Sequence, residues 1–127
     1  MAKLLIADDS VPLLETLRYI LQRNGYEVKT LSSADNIQQE INDFQPDLLI
    51  IDIFLGDDDG RDICQQIRKI NRNSDLKILL FSAFPQHLQG YKSYGADDFI
   101  EKPFELKNLM EKIKSILCHQ LVSSAVM

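Results

Sequence analysis

The sequence predicts a doubly wound α/β domain, and three observations lead to it. Short apolar runs alternate five times with longer amphipathic stretches, which is the rhythm of β/α units. Three of the runs, LLIA, LLIIDI and ILLF, are continuously apolar, as expected of central parallel strands covered on both faces. The chain has 127 residues, 45% of them apolar and 26% charged, which suits one hydrophobic core and leaves no room for a second.

The elements follow in order. Lys3 to Ala7 reads as the first strand. Val11 to Arg23 reads as a helix: Val11, Leu14, Leu17 and Leu21 share a face, Ser10 can cap it, Pro12 suits its first turn, and Asn24 with Gly25 stops it. Tyr26 to Leu31 alternates in polarity, which suggests an edge strand. A helix over Ala34 to Phe44 carries Ile37 and Ile41 and ends at Pro46. The third strand is Leu48 to Asp52, followed by a helix over Arg61 to Ile70 with Ile63, Ile67 and Ile70 on one face. Lys77 to Phe81 is the fourth strand and Asp98 to Glu101 the fifth. Between them Gln86 to Tyr94 reads as a helix weakened by Gly90, which costs about 1 kcal/mol relative to alanine. Glu105 to Leu117 closes the series through Leu106, Leu109 and Ile113, and 120–127 lacks periodicity and is expected to fray. The domain therefore spans 1–119, with a disordered tail at 120–127.

Composition narrows the function. Fourteen basic against nineteen acidic residues give a formal charge of -5, which argues against direct nucleic-acid binding or attraction to anionic lipid. The longest apolar stretch, Leu48 to Leu55, is cut by Asp52 and cannot span a bilayer, so membrane insertion is not expected and a cytoplasmic location is the default. Cys64 and Cys118 are far apart with no metal-ligand spacing and read as reduced thiols.

Open sheets of this kind bind ligands beyond the carboxyl ends of their strands. The residues found there are Asp8 and Asp9 after the first strand, Asp52 ending the third, Ser82 after the fourth and Lys102 after the fifth. Two unit charges at ~4 Å repel by about 4 kcal/mol at an effective dielectric of ~20, so three gathered carboxylates need cations among them. Lys102 offers one positive charge, and a hard divalent cation with oxygen ligands, Mg²⁺ above all, would neutralise the rest. Any one of these aspartates alone could be a helix cap or a turn former. Together, at four separate strand ends, they call for a shared explanation.

Over residues 1 to about 119 the chain resembles the response-regulator receiver domains of two-component signalling, and the single-domain chemotaxis regulators in particular. The resemblance rests on the pair Asp8-Asp9, the segment DIFLGDDDG from Asp52 to Gly60, the step Ser82-Ala83, and GADDFIEKPF from Gly95 to Phe104. It implies a flavodoxin-like sheet of order 2-1-3-4-5 and a phosphoryl group accepted on Asp52 from the phosphohistidine of a sensor kinase or a phosphotransfer protein. It implies further that Asp9, Asp52 and the Phe54 backbone carbonyl bind Mg²⁺ directly and Asp8 through water, with Lys102 beside the transferring phosphoryl group. Ser82 and the aromatic Phe99 would be the switch, and the Lys102-Pro103 bond would be cis. The output surface for a downstream protein would be the predicted helix Gln86 to Tyr94, the fifth strand and the last helix. Apart from self-catalysed phosphoryl transfer and loss, the chain is not expected to be an enzyme.

Some features depart from that pattern. Gly56 replaces the family's usual proline, which implies a more mobile loop. The run Asp57-Asp58-Asp59 fails as a calcium loop because Leu55 and Gln66 occupy ligand positions, and it reads as a solvated loop in which Asp59 caps the next helix. Phe54 and Phe84 occupy the two positions that set phosphoryl lifetime in the family. Both are large and apolar, so a long-lived phosphorylated state is expected. His87 is given no role. With Asp8, Asp9, Asp52, Asp57, Asp58, Asp59 and Lys102 set aside, the remaining charges balance, which places the -5 at one rim.

Three alternatives compete. A phosphohydrolase of the haloacid-dehalogenase type needs an acid two residues after its nucleophile, where this chain has Phe54 or Ser10. A flavodoxin-like nucleotide binder needs a phosphate cradle after the first strand, and ADDSVP would repel phosphate. The chain is also compatible with the N-terminal receiver of a larger regulator, although a stand-alone protein is the favoured reading.

Overall fold

The computed structural model describes residues 1–70 and 75–126, with side chains described as far as Cys118. A five-stranded parallel sheet forms its centre: β1 (Lys3–Ala7), β2 (Glu27–Leu31), β3 (Leu48–Asp52), β4 (Lys77–Ser82) and β5 (Asp98–Glu101). The spatial order is 2-1-3-4-5, as the sequence predicts, with Leu4 opposite both Val28 and Leu48, Leu48 opposite Lys77, and Leu79 opposite Asp98.

Strand alternation divides the core into two layers. Leu4, Ile6, Leu48, Ile50, Leu79 and Phe81 face α1 (Val11–Arg23) and the last helix, α4 (Leu106–Val126). Leu5, Ala7, Leu49, Ile51, Ile78 and Leu80 face α2 (Ile37–Phe44) and α3 (Gly60–Ile70). The central strands β1, β3 and β4 are apolar on both faces because both faces are covered. Cys64 lies in the second layer, where burial pushes its thiol up to about 11 and leaves it inert at neutral pH.

α1 matches its predicted bounds. The Ser10 side chain accepts a hydrogen bond from the Leu13 amide at 3.4 Å, and Pro12 lies in the first turn. α2 begins at Ile37 rather than Ala34, because Asn36 adopts a left-handed conformation (φ 58°) that breaks the helix before it. The predicted helix Gln86 to Tyr94 is not an α-helix. Two short 3-10 turns, Pro85–Leu88 and Tyr91–Tyr94, take its place, separated by Gly90 at φ 73°. That φ lies outside the helical region, so the glycine divides the segment instead of merely weakening it. α4 runs past its predicted end at Leu117 into the segment expected to fray, as no glycine or proline follows Phe104 to stop it.

One clamp holds the amino ends of the strands. Arg68 on α3 donates to the carbonyls of Gly95 (2.7 Å) and Leu76 (2.6 Å) and to the Asp97 carboxylate (2.8 Å). That carboxylate also accepts from the Ile78 amide at 2.8 Å. Gly95 fits for two reasons: its φ is +93°, and a Cβ there would lie 2.5 Å from Arg68 Cγ.

Candidate functional site

The parallel register brings the strand ends to one rim. Ala7 pairs with Ile51, so Asp8 follows level with Asp52, and Asp52 is in turn opposite Phe81 with Ser82 next. Ser82 is opposite Glu101, and the Lys102 amide donates to the Ser82 carbonyl at 2.8 Å. Asp8, Asp52 and Ser82 are the buried polar residues among those described, and Asp9 is exposed.

Lys102 bridges the two buried carboxylates. Its Nζ lies 2.6 Å from Asp8 Oδ2 and 2.7 Å from Asp52 Oδ2, and 4.4 Å from the centroid of the Phe81 ring. The peptide bond to Pro103 is cis. The remaining oxygen of each carboxylate accepts from the amide two residues on: Asp8 Oδ1 from Ser10 at 2.8 Å and Asp52 Oδ1 from Phe54 at 3.0 Å. Burial raises the pKa of Asp52, against the opposing pull of its bonds to Lys102 and the Phe54 amide. Burial disfavours the Lys102 ammonium too, but its bonds to Asp52 and Asp8 outweigh that and hold it above its ordinary value.

One carboxylate oxygen from each of Asp8, Asp9 and Asp52 falls within a sphere where all lie within 4.8 Å of one another. Clustered anionic oxygens of this kind, with room for water on the exposed Asp9 side, fit a hard divalent cation such as Mg²⁺ and do not suit a soft thiolate-seeking metal.

The structure brings Asp8, Asp9, Asp52 and Lys102 together as the sequence predicts. Ser82 is fully buried and its Oγ accepts from the Phe84 amide at 3.0 Å. Phe99 is half-buried, its ring 4.9 Å from that of Tyr91 and 5.5 Å from Lys112 Nζ. Asp59 accepts from the Arg61 amide at 2.9 Å and pairs with the Arg61 guanidinium at 2.7 Å, which holds its carboxyl below the ordinary range. Phe54–Leu55 and Asp58–Asp59 form a small antiparallel hairpin, with Gly56 at φ +63° in its turn.

One neighbour of the site was missed in the sequence. Phe54 and Phe84 are 44% and 48% exposed, yet their rings meet edge to face at 5.5 Å. The His87 imidazole lies 5.1 Å from Phe54 and 5.6 Å from Phe84, closing a triangle of rings. The spacing Phe84-x-x-His87 is the local signal, because one 3-10 turn superposes residues three apart.

Residues 4–114 match the family model of the response regulator receiver domain. The chain belongs to that family. It is 31% identical over 120 residues to the DNA-binding dual master transcriptional regulator RpaA of Synechocystis, covering 92% of this chain and 49% of the relative. It is 31% identical over 117 residues to the alkaline phosphatase synthesis transcriptional regulatory protein PhoP of Bacillus subtilis, covering 91% and 48%. The chain thus spans about half the length of these relatives. Among solved structures it resembles the response regulator TrrA of Thermotoga maritima in complex with Mg²⁺-BeF, at 30% identity and a TM-score of 0.80, covering 91% of this chain and 99% of that one. No helix among the described residues is long and apolar enough to cross a membrane.

Proposed function

We propose that Asp52 accepts a phosphoryl group from the phosphohistidine of a sensor histidine kinase or a phosphotransfer protein, and that this chain is a signalling switch rather than an enzyme with an external substrate. The observation that carries the reading is the Asp52 carboxylate, buried at the end of β3 and bridged through Lys102 to Asp8. An oxygen of Asp52 attacks phosphorus; the P–O bond forms as the P–N bond breaks, and the electron pair leaves with the donor imidazole. The attacking form is the carboxylate, which the bonds from Lys102 and the Phe54 amide favour against the effect of burial, so no general base is needed. Lys102 orients that carboxylate and presents positive charge to the transferring oxygens.

Asp9, Asp52 and the Phe54 backbone carbonyl would hold Mg²⁺ directly, with Asp8 acting through water. The ion would supply further neutralisation of the phosphoryl oxygens. That the related TrrA was crystallised with Mg²⁺-BeF supports this assignment.

Once phosphorylated, Asp52 presents three acceptor oxygens, and the Ser82 hydroxyl donates to one of them. Ser82 Oγ and the Asp52 carboxylate each hold the amide of a phenylalanine two residues on, so their rearrangement is felt along the loops that follow. Phe99 passes the change to a partner-binding face made of residues 85–94, β5 and α4. The occupant of that face is a protein, not nucleic acid or membrane, and the location is cytoplasmic. The apolar Phe54 and Phe84 offer water no hydrogen-bond acceptor, which lengthens the life of the acyl phosphate.

Incubation with a small acyl phosphate and Mg²⁺, followed by intact mass, tests the reading. Wild type gains one phosphoryl mass and Asp52→Ala does not; absence of an Mg²⁺-dependent gain in wild type rejects it. A second reading, a receiver coupled to a DNA-binding output domain, is favoured by the doubled length of the transcriptional regulators it resembles. Coding sequence continuing past Met127 would support it.

A further inference from the structure

The triangle of Phe54, Phe84 and His87 has no counterpart in the motifs that define the phosphoacceptor. Each ring is tied to the site through the backbone. The Phe54 amide donates to Asp52 Oδ1 and the Phe84 amide to Ser82 Oγ, both at 3.0 Å, and the His87 amide donates to the Phe84 carbonyl at 3.0 Å. His87 is carried by the turn Pro85–Leu88, in which Leu88 is buried in the core. The turn therefore fixes where the imidazole stands.

Two half-exposed phenylalanines on separate loops would ordinarily move independently. Here a third ring contacts both, with interplanar angles of 62° and 50° and centroid distances within the range of favourable aromatic pairs. The imidazole Nδ1 is buried and makes no hydrogen bond among the described residues. At that atom His87 is held by ring packing alone, with the Asp59 carboxylate its charged neighbour elsewhere, and Nδ1 is screened from any water it could orient.

We infer that His87 is a positioning residue: it locks the Phe54 and Phe84 rings together as an aromatic cap beside Asp52 and so slows hydrolysis of the phosphorylated state. This rests on Asp52 being the phosphoacceptor. Hydrolysis requires a water in line with the bond between phosphorus and the Asp52 oxygen, and ring edges held together beside Asp52 narrow its approach and offer no acceptor for its proton.

The test compares wild type, His87→Ala and His87→Phe, each phosphorylated with a small acyl phosphate and Mg²⁺, freed of donor by desalting, and followed by intact mass. Removal of the ring in His87→Ala shortens the phosphoryl half-life by about threefold or more, whereas His87→Phe, which keeps a ring without nitrogen, retains the wild-type half-life. Urea midpoints and slopes that match wild type for both variants exclude a general loss of fold. Equal half-lives in all three proteins overturn the inference. Equal shortening in both variants overturns it as well, because the nitrogen and not the ring would then matter. Lengthening in both would show that the imidazole assists the water. If wild type gains no phosphoryl mass at all, the assignment of Asp52 itself fails, which is a different result from uptake with equal decay.

Discussion

Replacing Gly60 by alanine probes how tightly the loop that follows Asp52 is folded onto the start of α3. Gly60 is buried, and its amide donates to the Ile53 carbonyl at 2.7 Å. A Cβ built on it would lie 2.3 Å from the Asp52 carbonyl oxygen and 3.0 Å from both Asp52 C and Ile53 Cα. Favourable contacts begin near ~3.5 Å, so the Asp52 backbone or the first turn of α3 must retreat by about 1 Å. All three atoms are backbone and cannot rotate away. With only backbone atoms to displace, the overpacking lies at or above the upper end of the usual range of about 1–3 kcal/mol, and the gain in helix propensity at α3 returns at most about 1 kcal/mol. Gly56→Ala provides the matched control. Its φ is +63° with nothing within 4 Å of the added carbon, so it carries only the left-handed backbone penalty of about 1–2 kcal/mol. Urea unfolding with unchanged slope should place Gly60→Ala at least about 2 kcal/mol below wild type and below Gly56→Ala. Because the displaced atoms belong to Asp52, phosphoryl uptake from an acyl phosphate should fall by up to ~100-fold in Gly60→Ala alone. A Gly60→Ala protein no less stable than Gly56→Ala, with normal uptake, would refute the packing argument.

Further expectations concern the same rim. Burial raises the folded pKa of Asp52 above its unfolded value, so the folded state holds this proton to higher pH than the unfolded chain and stability falls as pH rises through that window. Asp52→Asn should therefore be more stable than wild type at pH 7, with the difference vanishing below about pH 4, as read from urea melts at both values. Mg²⁺ should raise the melting temperature of wild type, by about 2.7 kcal/mol of stabilisation at one hundred times its dissociation constant. Asp9→Asn should abolish most of that rise while leaving the melting temperature in chelator equal to or above that of wild type, since it removes one of three clustered negative charges. The double variant Phe54→Asn, Phe84→Glu should lose its phosphoryl group faster than wild type, tenfold for each 1.4 kcal/mol of barrier removed. Equal or faster decay in wild type would contradict the role given to the two rings.

What the sequence showed clearly was whatever repeats locally. The apolar runs of β1, β3 and β4 mark buried strands because nothing but two-sided burial favours such runs, and the order of charged strand ends then follows from the sheet. The structure also distinguishes the two members of the pair Asp8-Asp9: the first is buried against Lys102, and the second stays exposed at the edge of the same carboxylate cluster. The expected helix Gln86 to Tyr94 treats Gly90 as a modest propensity cost, whereas the left-handed Gly90 splits the segment outright. The Arg68 clamp was not legible at all. Its partners Gly95 and Asp97 lie 27 and 29 positions away and include a bare carbonyl, which leaves no trace in the pattern of residues. His87 escaped notice for a related reason, since its neighbours Phe54 and Phe84 come from two different loops.

The clamp also governs the kind of motion open to the sheet. Arg68 pins the entrance of β4, through Leu76, and that of β5, through Gly95 and Asp97, to one helix at the end of the domain opposite Asp52. Sliding β4 along β5 by a single residue would break the bond from Ile78 to Asp97 and, with Arg68 held by Gly95 and Asp97, the bond from Arg68 to Leu76 as well. Splaying the two strands at their far ends breaks neither. A disturbance that starts at Ser82 and Lys102 therefore meets least resistance as a rotation about this corner, which moves the rim that carries Asp52 more than the clamped end.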